Sequence, residues 1–213
     1  MKIGLIGAGM IGGTLAHLLA PLGHEVAVSN RRGPESLQPM LEELGPTAHA
    51  MTVEDAARWA DLVVLAVPWR SPEALPSPQA VHDKVVVDAM NPYRAWGGTY
   101  DLGDSSSSEE TLKRLPGARL VKAFNTIYFR HLATEGRTDL PEDDRRAIFV
   151  ASDDSHAKTT VSALIRQLGF AAVDAGSLRN GRHLEPGSPV YNQQLSARDA
   201  RERLAALTQG DGT

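Results

Sequence analysis

Apolar residues run along this chain in two rhythms. Predominantly apolar stretches occupy residues 2–6, 25–28, 62–67, 85–88, 119–124, 147–151 and 170–174, and 62–67 is apolar throughout. Short runs of this kind, rich in Val and Ile, predict strands buried on both faces. Between them the apolar positions recur at helical spacing. Over 10–22, Ile11, Leu15, Leu18 and Leu19 fall on one face. Further helices are predicted over 34–44, after Thr52, and over 108–115, 155–168 and 196–207. Gly23, Gly45 and Gly169 supply stops, and Pro34 suits a first turn. Thr52 and Asp55 read as a capping box, and Ser107 or Ser108 as the cap that ends G-D-S-S-S-S-E-E.

Strand and helix thus alternate along the chain. That order predicts parallel β-α-β units in an α/β, doubly wound, mostly parallel sheet with helices on both faces. One domain over 1–213 is expected, with 186–213 as a short C-terminal helical extension that carries Tyr191 and Asn192 into its helix. That helix is placed to pack on a partner subunit in a homodimer or to cover the sheet. Pro- and Gly-rich loops are expected around 68–78 and 90–107, and a charged one over 134–146.

Composition narrows the chemistry. The chain has no cysteine, which excludes a disulfide scaffold, an iron–sulfur cluster and a thiol nucleophile. Its formal charge of -4 gives no global pull on nucleic acid or an acidic membrane. No apolar run reaches the roughly 20 residues of a membrane span, and M-K-I-G-L-I reads as a buried strand, so a cytoplasmic protein is expected. The seven histidines show no ligand spacing, so no metal is expected. None of the tyrosines at 93, 100, 128 and 191 is followed four residues later by Lys, which argues against a short-chain dehydrogenase.

The first strand runs straight into G-A-G-M-I-G, with Gly7, Gly9 and Gly12 in the pattern G-x-G-x-x-G. Following a strand and opening a helix, it reads as the dinucleotide loop of a Rossmann-type fold. Gly7 permits the turn, Gly9 lets a pyrophosphate approach, and Gly12 lets helix and strand pack closely; Ala8, Met10 and Ile11 complete the loop. An acid at the tip of the second strand would bind a ribose 2′-hydroxyl. Here Ser29-Asn30-Arg31-Arg32 stands instead. Two guanidiniums suit a 2′-phosphate, with Ser29 and Asn30 as further donors, so NADP(H) is the expected cofactor.

Six segments carry a family resemblance: G-A-G-M-I-G (7–12), S-N-R-R (29–32), A-V-P-W (66–69), D-A-M-N-P-Y (88–93), V-K-A-F-N-T-I (121–127) and D-A-G-S-L-R-N-G-R-H-L-E (174–185). With these the chain resembles the NADP oxidoreductases that depend on coenzyme F420, a deazaflavin, and the NADPH-oxidising portion of the membrane metalloreductases. The resemblance implies that Val67, Pro68, Trp69, Asn91, Pro92, Ala123 and Asn125 line the nicotinamide half of the cofactor. Trp69, Phe124, Ile127, Tyr128 and Phe129 would form an apolar wall for a flat ring, and Thr126, Ile127, Tyr128 and Tyr191 would face the substrate. Hydride transfer to a deazaflavin is cofactor chemistry and requires no catalytic acid in the hydride step. A flavin, a ferric complex or a small imine or carbonyl are alternative acceptors; the last two would need a proton donor, for which Tyr128, Lys122 and Tyr191 are candidates. A non-catalytic NADP(H)-binding redox sensor is the other alternative.

Overall fold

Short, mostly apolar stretches become strands here because both their faces are covered. A computed structural model describes residues 1–209; positions 210–213 of the expected C-terminal extension lie outside them. The elements follow one another as β1 (Lys2–Ile6), α1 (Met10–Leu19), β2 (Glu25–Ser29), α2 (Gln38–Leu44), β3 (Ala48–Ala50), α3 (Val53–Trp59), β4 (Leu62–Leu65), α4 (Pro78–Val81), β5 (Val85–Asp88), α5 (Ser107–Arg114), β6 (Arg119–Lys122), α6 (Phe129–Thr134), β7 (Ala147–Val150), α7 (Ser155–Gln167), β8 (Ala171–Asp174) and α8 (Ala197–Gln209).

Six strands pair in parallel in the order β3-β2-β1-β4-β5-β6. The order reverses between β1 and β4, and this switch opens a crevice at the carboxyl ends of the strands. Every residue of β4 and β5 is buried. One face packs Ile3, Leu5, Val26 and Val64 against Leu15 and Leu19 of α1 and Val161 and Ile165 of α7. The other packs Ile6, Val63, Leu65 and Val86 against Ala56, Ala57 and Val81 of α3 and α4. The doubly wound architecture expected from the alternation is the one observed.

Beyond β6 the strands do not continue the six-stranded sheet. Strands β7 and β8 form a separate parallel pair. They meet the main sheet through an antiparallel bridge, in which Lys122 and Ala151 exchange backbone hydrogen bonds of 2.9 and 3.1 Å, and through a shared core that includes Ile148, Val150 and Ala172. Helix α8 covers this pair, burying Ala197, Ala200 and Leu204 against Phe149 and Val173. The charged stretch 134–146 docks α8 through Arg201–Asp143 (2.6 Å) and Arg198–Asp144 (3.3 Å). Tyr191 and Asn192 precede α8 rather than entering it, and Asn192 has a φ of 55°.

Two caps also differ in detail. The cap of α5 is Ser106, whose hydroxyl accepts from the Glu109 N–H at 3.1 Å while its own N–H donates to the Glu109 carboxylate at 2.7 Å. Ser107 and Ser108 lie inside the first turn, buried. Thr52 caps α3 by accepting from the Asp55 N–H, but the Asp55 carboxylate accepts the Thr52 hydroxyl proton at 2.6 Å instead of reaching the Thr52 backbone.

Lys122, at the end of β6, is fully buried. Its ammonium donates to the Met90 carbonyl at 2.7 Å and the Ser107 hydroxyl at 3.0 Å, and lies 3.7 Å from the buried Asp88 carboxylate. Removing one member of a buried ion pair strands the other's charge and costs about 3–5 kcal/mol. Lys122→Ala should therefore lose about that much unfolding free energy in urea titration at neutral pH; an unchanged midpoint would show that the pair does not matter to stability.

Candidate functional site

The glycines of the β1–α1 loop have distinct physical reasons. Gly7 has a φ of 112°, and a Cβ there would lie 2.4 Å from the Ala66 carbonyl oxygen. At Gly12 a Cβ would lie 1.8 Å from the Gly7 carbonyl oxygen, so only glycine lets α1 approach this closely. Gly9 meets neither limit: its φ is -82°, and an added Cβ would find no atom within 4 Å. Packing and backbone geometry both admit a side chain at Gly9. What a side chain would fill is the space in front of the loop. Helix α1 starts there with no side-chain cap and no acid in its first turn. Its first N–H groups and positive dipole end can therefore serve an anion.

The tip of β2 lies beside this loop, tied to it by the Gly7 N–H donating to the Ser29 carbonyl at 3.0 Å. The expected roles divide here. Ser29 is fully buried and its hydroxyl donates to the Leu5 carbonyl at 3.2 Å, which turns it away from any ligand. Asn30 builds the turn: its amide donates to the Ser36 hydroxyl at 2.8 Å, and its side-chain oxygen accepts from the Arg32 N–H at 2.8 Å. Arg31 and Arg32 are exposed, and neither guanidinium bonds to a described residue. Together with Ala8, Gly9, Ser36 and Met40 they line a hollow of about 450 Å³.

A second hollow, of about 310 Å³, lies over the ends of β5 and β6. Its walls are mainly apolar: Met10, Ile11, Ala89, Phe124, Ile127, Tyr128 and Phe129. A third, lined by Gly9, Met10, His17, Leu18 and Phe129, lies between the two, so the three share residues in a continuous strip around the glycine loop. Phe124 turns the chain into the second hollow at a φ of 63°, a conformation costing a bulky residue about 1–3 kcal/mol.

The polar edge of that hollow is a bonded cluster. Asn125 donates to the Leu184 carbonyl at 2.7 Å and the Asn91 side-chain oxygen at 3.1 Å. Asn91 donates to the Asn125 carbonyl at 3.0 Å and the Tyr191 hydroxyl at 3.3 Å. The Tyr191 and Tyr93 hydroxyls lie 2.8 Å apart. Burial, and after it the bond with Tyr93, pushes the Tyr191 phenol above its ordinary pKa.

Other expected residues lie off the hollows. Trp69 is buried against α5, its indole N–H donating to the Ser107 carbonyl (3.1 Å) and the Thr111 hydroxyl (3.2 Å), with Arg114 stacked 4.8 Å from the ring. It anchors α5 instead of walling a ligand. Pro68 is exposed and Val67 half-buried beside Gly7; neither lines the three hollows. Ala123, Pro92 and Thr126 are buried and shape the loops through backbone bonds, Thr126 accepting from the Asn192 N–H at 3.1 Å. Ser36 and Tyr93 line the first and second hollows and were not among the residues expected there. Ser36 looked like part of a helix start. Tyr93 closes D-A-M-N-P-Y, but only the fold brings it to Tyr191.

A parallel sheet in this order, a glycine loop at its switch point and an arginine-bearing turn beside it define a dinucleotide-binding Rossmann protein. Residues 2–92 match the family model described as NADP oxidoreductase, coenzyme F420-dependent. A solved hypothetical protein of Sinorhizobium meliloti is 32% identical, with a TM-score of 0.76 over 92% of this chain and 93% of that one. A solved Arthrobacter protein, provisionally assigned as an F420-dependent NADP reductase, is 27% identical with a TM-score of 0.74, covering 100% of this chain and 94% of that one. Metalloreductase STEAP3 of Rattus norvegicus is 30% identical over 186 residues, 86% of this chain and 36% of its own length. The chain thus spans about a third of the curated relatives it matches. Over residues 2–92 the chain is similar to the coenzyme F420-dependent NADP oxidoreductases, and over nearly its whole length to the Sinorhizobium and Arthrobacter proteins.

Two expectations follow for cofactor binding. Gly9→Val should keep the fold, judged by circular dichroism and urea titration, while abolishing NADPH binding; Gly12→Ala should fail already at the level of stability. Equal NADPH affinity in Gly9→Val and the parent would show that the open space serves no ligand. Charge-assisted hydrogen bonds contribute about 1.5–3 kcal/mol each, so Arg31→Ala with Arg32→Ala should weaken NADPH roughly 100-fold or more while barely altering NADH. Fluorescence titration with both nucleotides measures this, and equal losses would contradict a 2′-phosphate role.

Proposed function

We propose that this protein transfers hydride between NADPH and a flat-ring acceptor of the deazaflavin (coenzyme F420) or flavin type. The observation that carries the reading is the apolar second hollow, contiguous with the glycine loop and walled by Ile11, Phe124, Ile127 and Phe129. The residues present fit a dinucleotide, since an open space at Gly9 faces uncapped helix N–H groups and two unpaired guanidiniums stand at the far end. In this reading Arg31 and Arg32 hold the 2′-phosphate and the first turn of α1 holds the pyrophosphate. Ile11, Asn91 and Asn125 then orient the nicotinamide in the second hollow. NADPH, when bound, supplies the hydride. The protein's part is to hold two flat rings in contact and keep water from between them. Homodimer formation and a cytoplasmic setting belong to the same proposal.

An acceptor panel tests it. Protein and NADPH are mixed with coenzyme F420, FMN, FAD or a ferric chelate, and the nicotinamide absorbance is followed. Fastest loss with coenzyme F420 or a flavin is expected. Turnover confined to the ferric chelate would move the protein toward the chemistry named for its metalloreductase relatives. NADPH binding with no turnover would make it a non-catalytic sensor.

A further inference from the structure

Reduction of a ring or double bond by hydride leaves a charge that a proton must neutralise. Besides Tyr93 at its solvent edge, three side chains at or near the second hollow carry a transferable proton: Lys122, Tyr128 and Tyr191. Lys122 is sealed from the hollow, its ammonium committed to Met90, Ser107 and Asp88. Tyr128 lines the hollow but is 44% exposed, makes ring contacts with Phe129 and His131, and its hydroxyl has no hydrogen bond among the described residues. Tyr191 differs from both.

The direction of the Asn91 bond to Tyr191 is fixed. The Leu184 carbonyl can only accept, so the bonding nitrogen of Asn125 is its amide N–H₂. The Asn125 backbone carbonyl can only accept, which fixes the Asn91 amide likewise. Asn91 therefore donates to the Tyr191 oxygen, at 3.3 Å. Tyr93 stands 2.8 Å away on the solvent side and is 42% exposed. The Tyr93–Tyr191 bond can run in either sense; at rest Tyr191 can donate to Tyr93, and when Tyr93 donates instead, the Tyr191 oxygen has both acceptor positions filled and its own O–H is free for an acceptor bound in the hollow.

We propose that Tyr191 is the proton donor to the acceptor, recharged from solvent through Tyr93, and that the acceptor is one taking up a hydride and a proton together. This rests on the function proposed above and narrows it: a deazaflavin, flavin, imine or carbonyl fits, whereas a ferric ion takes one electron and no proton. The balance is complete. The acceptor receives a hydride from NADPH; the Tyr191 O–H bond breaks and its proton goes to the acceptor atom that has gained charge. The Tyr191 phenolate, stabilised by the Asn91 N–H, takes the Tyr93 proton, and Tyr93 takes one from water. Burial keeps Tyr191 protonated at neutral pH, as a donor requires.

The test compares the parent protein with Tyr191→Phe and Tyr93→Phe. NADPH affinity by fluorescence should be unchanged in both. Turnover with coenzyme F420 or FMN should fall roughly 100-fold or more in Tyr191→Phe and less in Tyr93→Phe, mostly in kcat. The parent's solvent deuterium isotope effect should disappear in Tyr191→Phe, which a purely structural role would not cause. Tyrosine labelled with carbon-13 at Cζ gives a readout independent of turnover. The Tyr191 signal, assigned by its loss in Tyr191→Phe, should remain that of a neutral phenol through the range where free tyrosine ionises. It should also move when FMN is added to the NADP-saturated protein. A Tyr191→Phe variant with parental kcat and isotope effect overturns the proton role and leaves the reductase reading standing. A parent protein that binds NADPH but reduces none of the ring acceptors overturns both.

Discussion

A single ammonium group, sealed inside the protein, fixes where the sheet delivers its loops. Lys122 reaches the loop after β5 through Met90, the first turn of α5 through Ser107, and the end of β5 through Asp88. Asp88 in turn accepts from the Met90 N–H at 3.0 Å and the Ser108 hydroxyl at 2.7 Å. A charge taken out of water must find such partners or be ruinous to stability. Because all the partners lie at the carboxyl edge, satisfying the charge also sets the path of residues 89–91. The backbone of the same residue bridges to Ala151 and so attaches the small sheet.

The two ends of the crevice are built by different means. In the turn after β2 the side-chain bonds are local: Asn30, Arg32, Gly33 and Ser36 close one turn among themselves. At the far end Asn91, Asn125, Leu184 and Tyr191 come from four separate segments, bonded across as many as 100 positions. The first construction depends on a few neighbouring residues. The second depends on the whole fold, including the segment 174–185 that carries Leu184 under α5 and up to the cleft.

This difference explains what the sequence discloses. The alternation of strands and helices was readable because parallel strands buried on both faces are mostly apolar stretches, and the glycine loop because its constraints act within a few residues. The A-H-A strand β3 is too short to show a period. The detachment of β7 and β8 was hidden because pairing partners are not encoded in the apolarity of a run. Ser29 was misjudged for a related reason: a hydroxyl at a strand tip can face a ligand or the neighbouring backbone, and only the Leu5 carbonyl decides. Trp69 sat in a loop by sequence, yet its indole N–H needed a buried acceptor and found one on α5. Tyr93 and Tyr191 were each visible; their meeting was not.

The turn that Asn30 and Ser36 hold together carries its arginines on a frame that borrows little from the rest of the molecule. Such a frame is a unit of heredity as much as of structure. Residues 31 and 32 can change identity without disturbing the polar cluster across the crevice, so under the proposed 2′-phosphate role preference for one nucleotide over another could drift, or be redesigned, separately from the proposed chemistry on the acceptor.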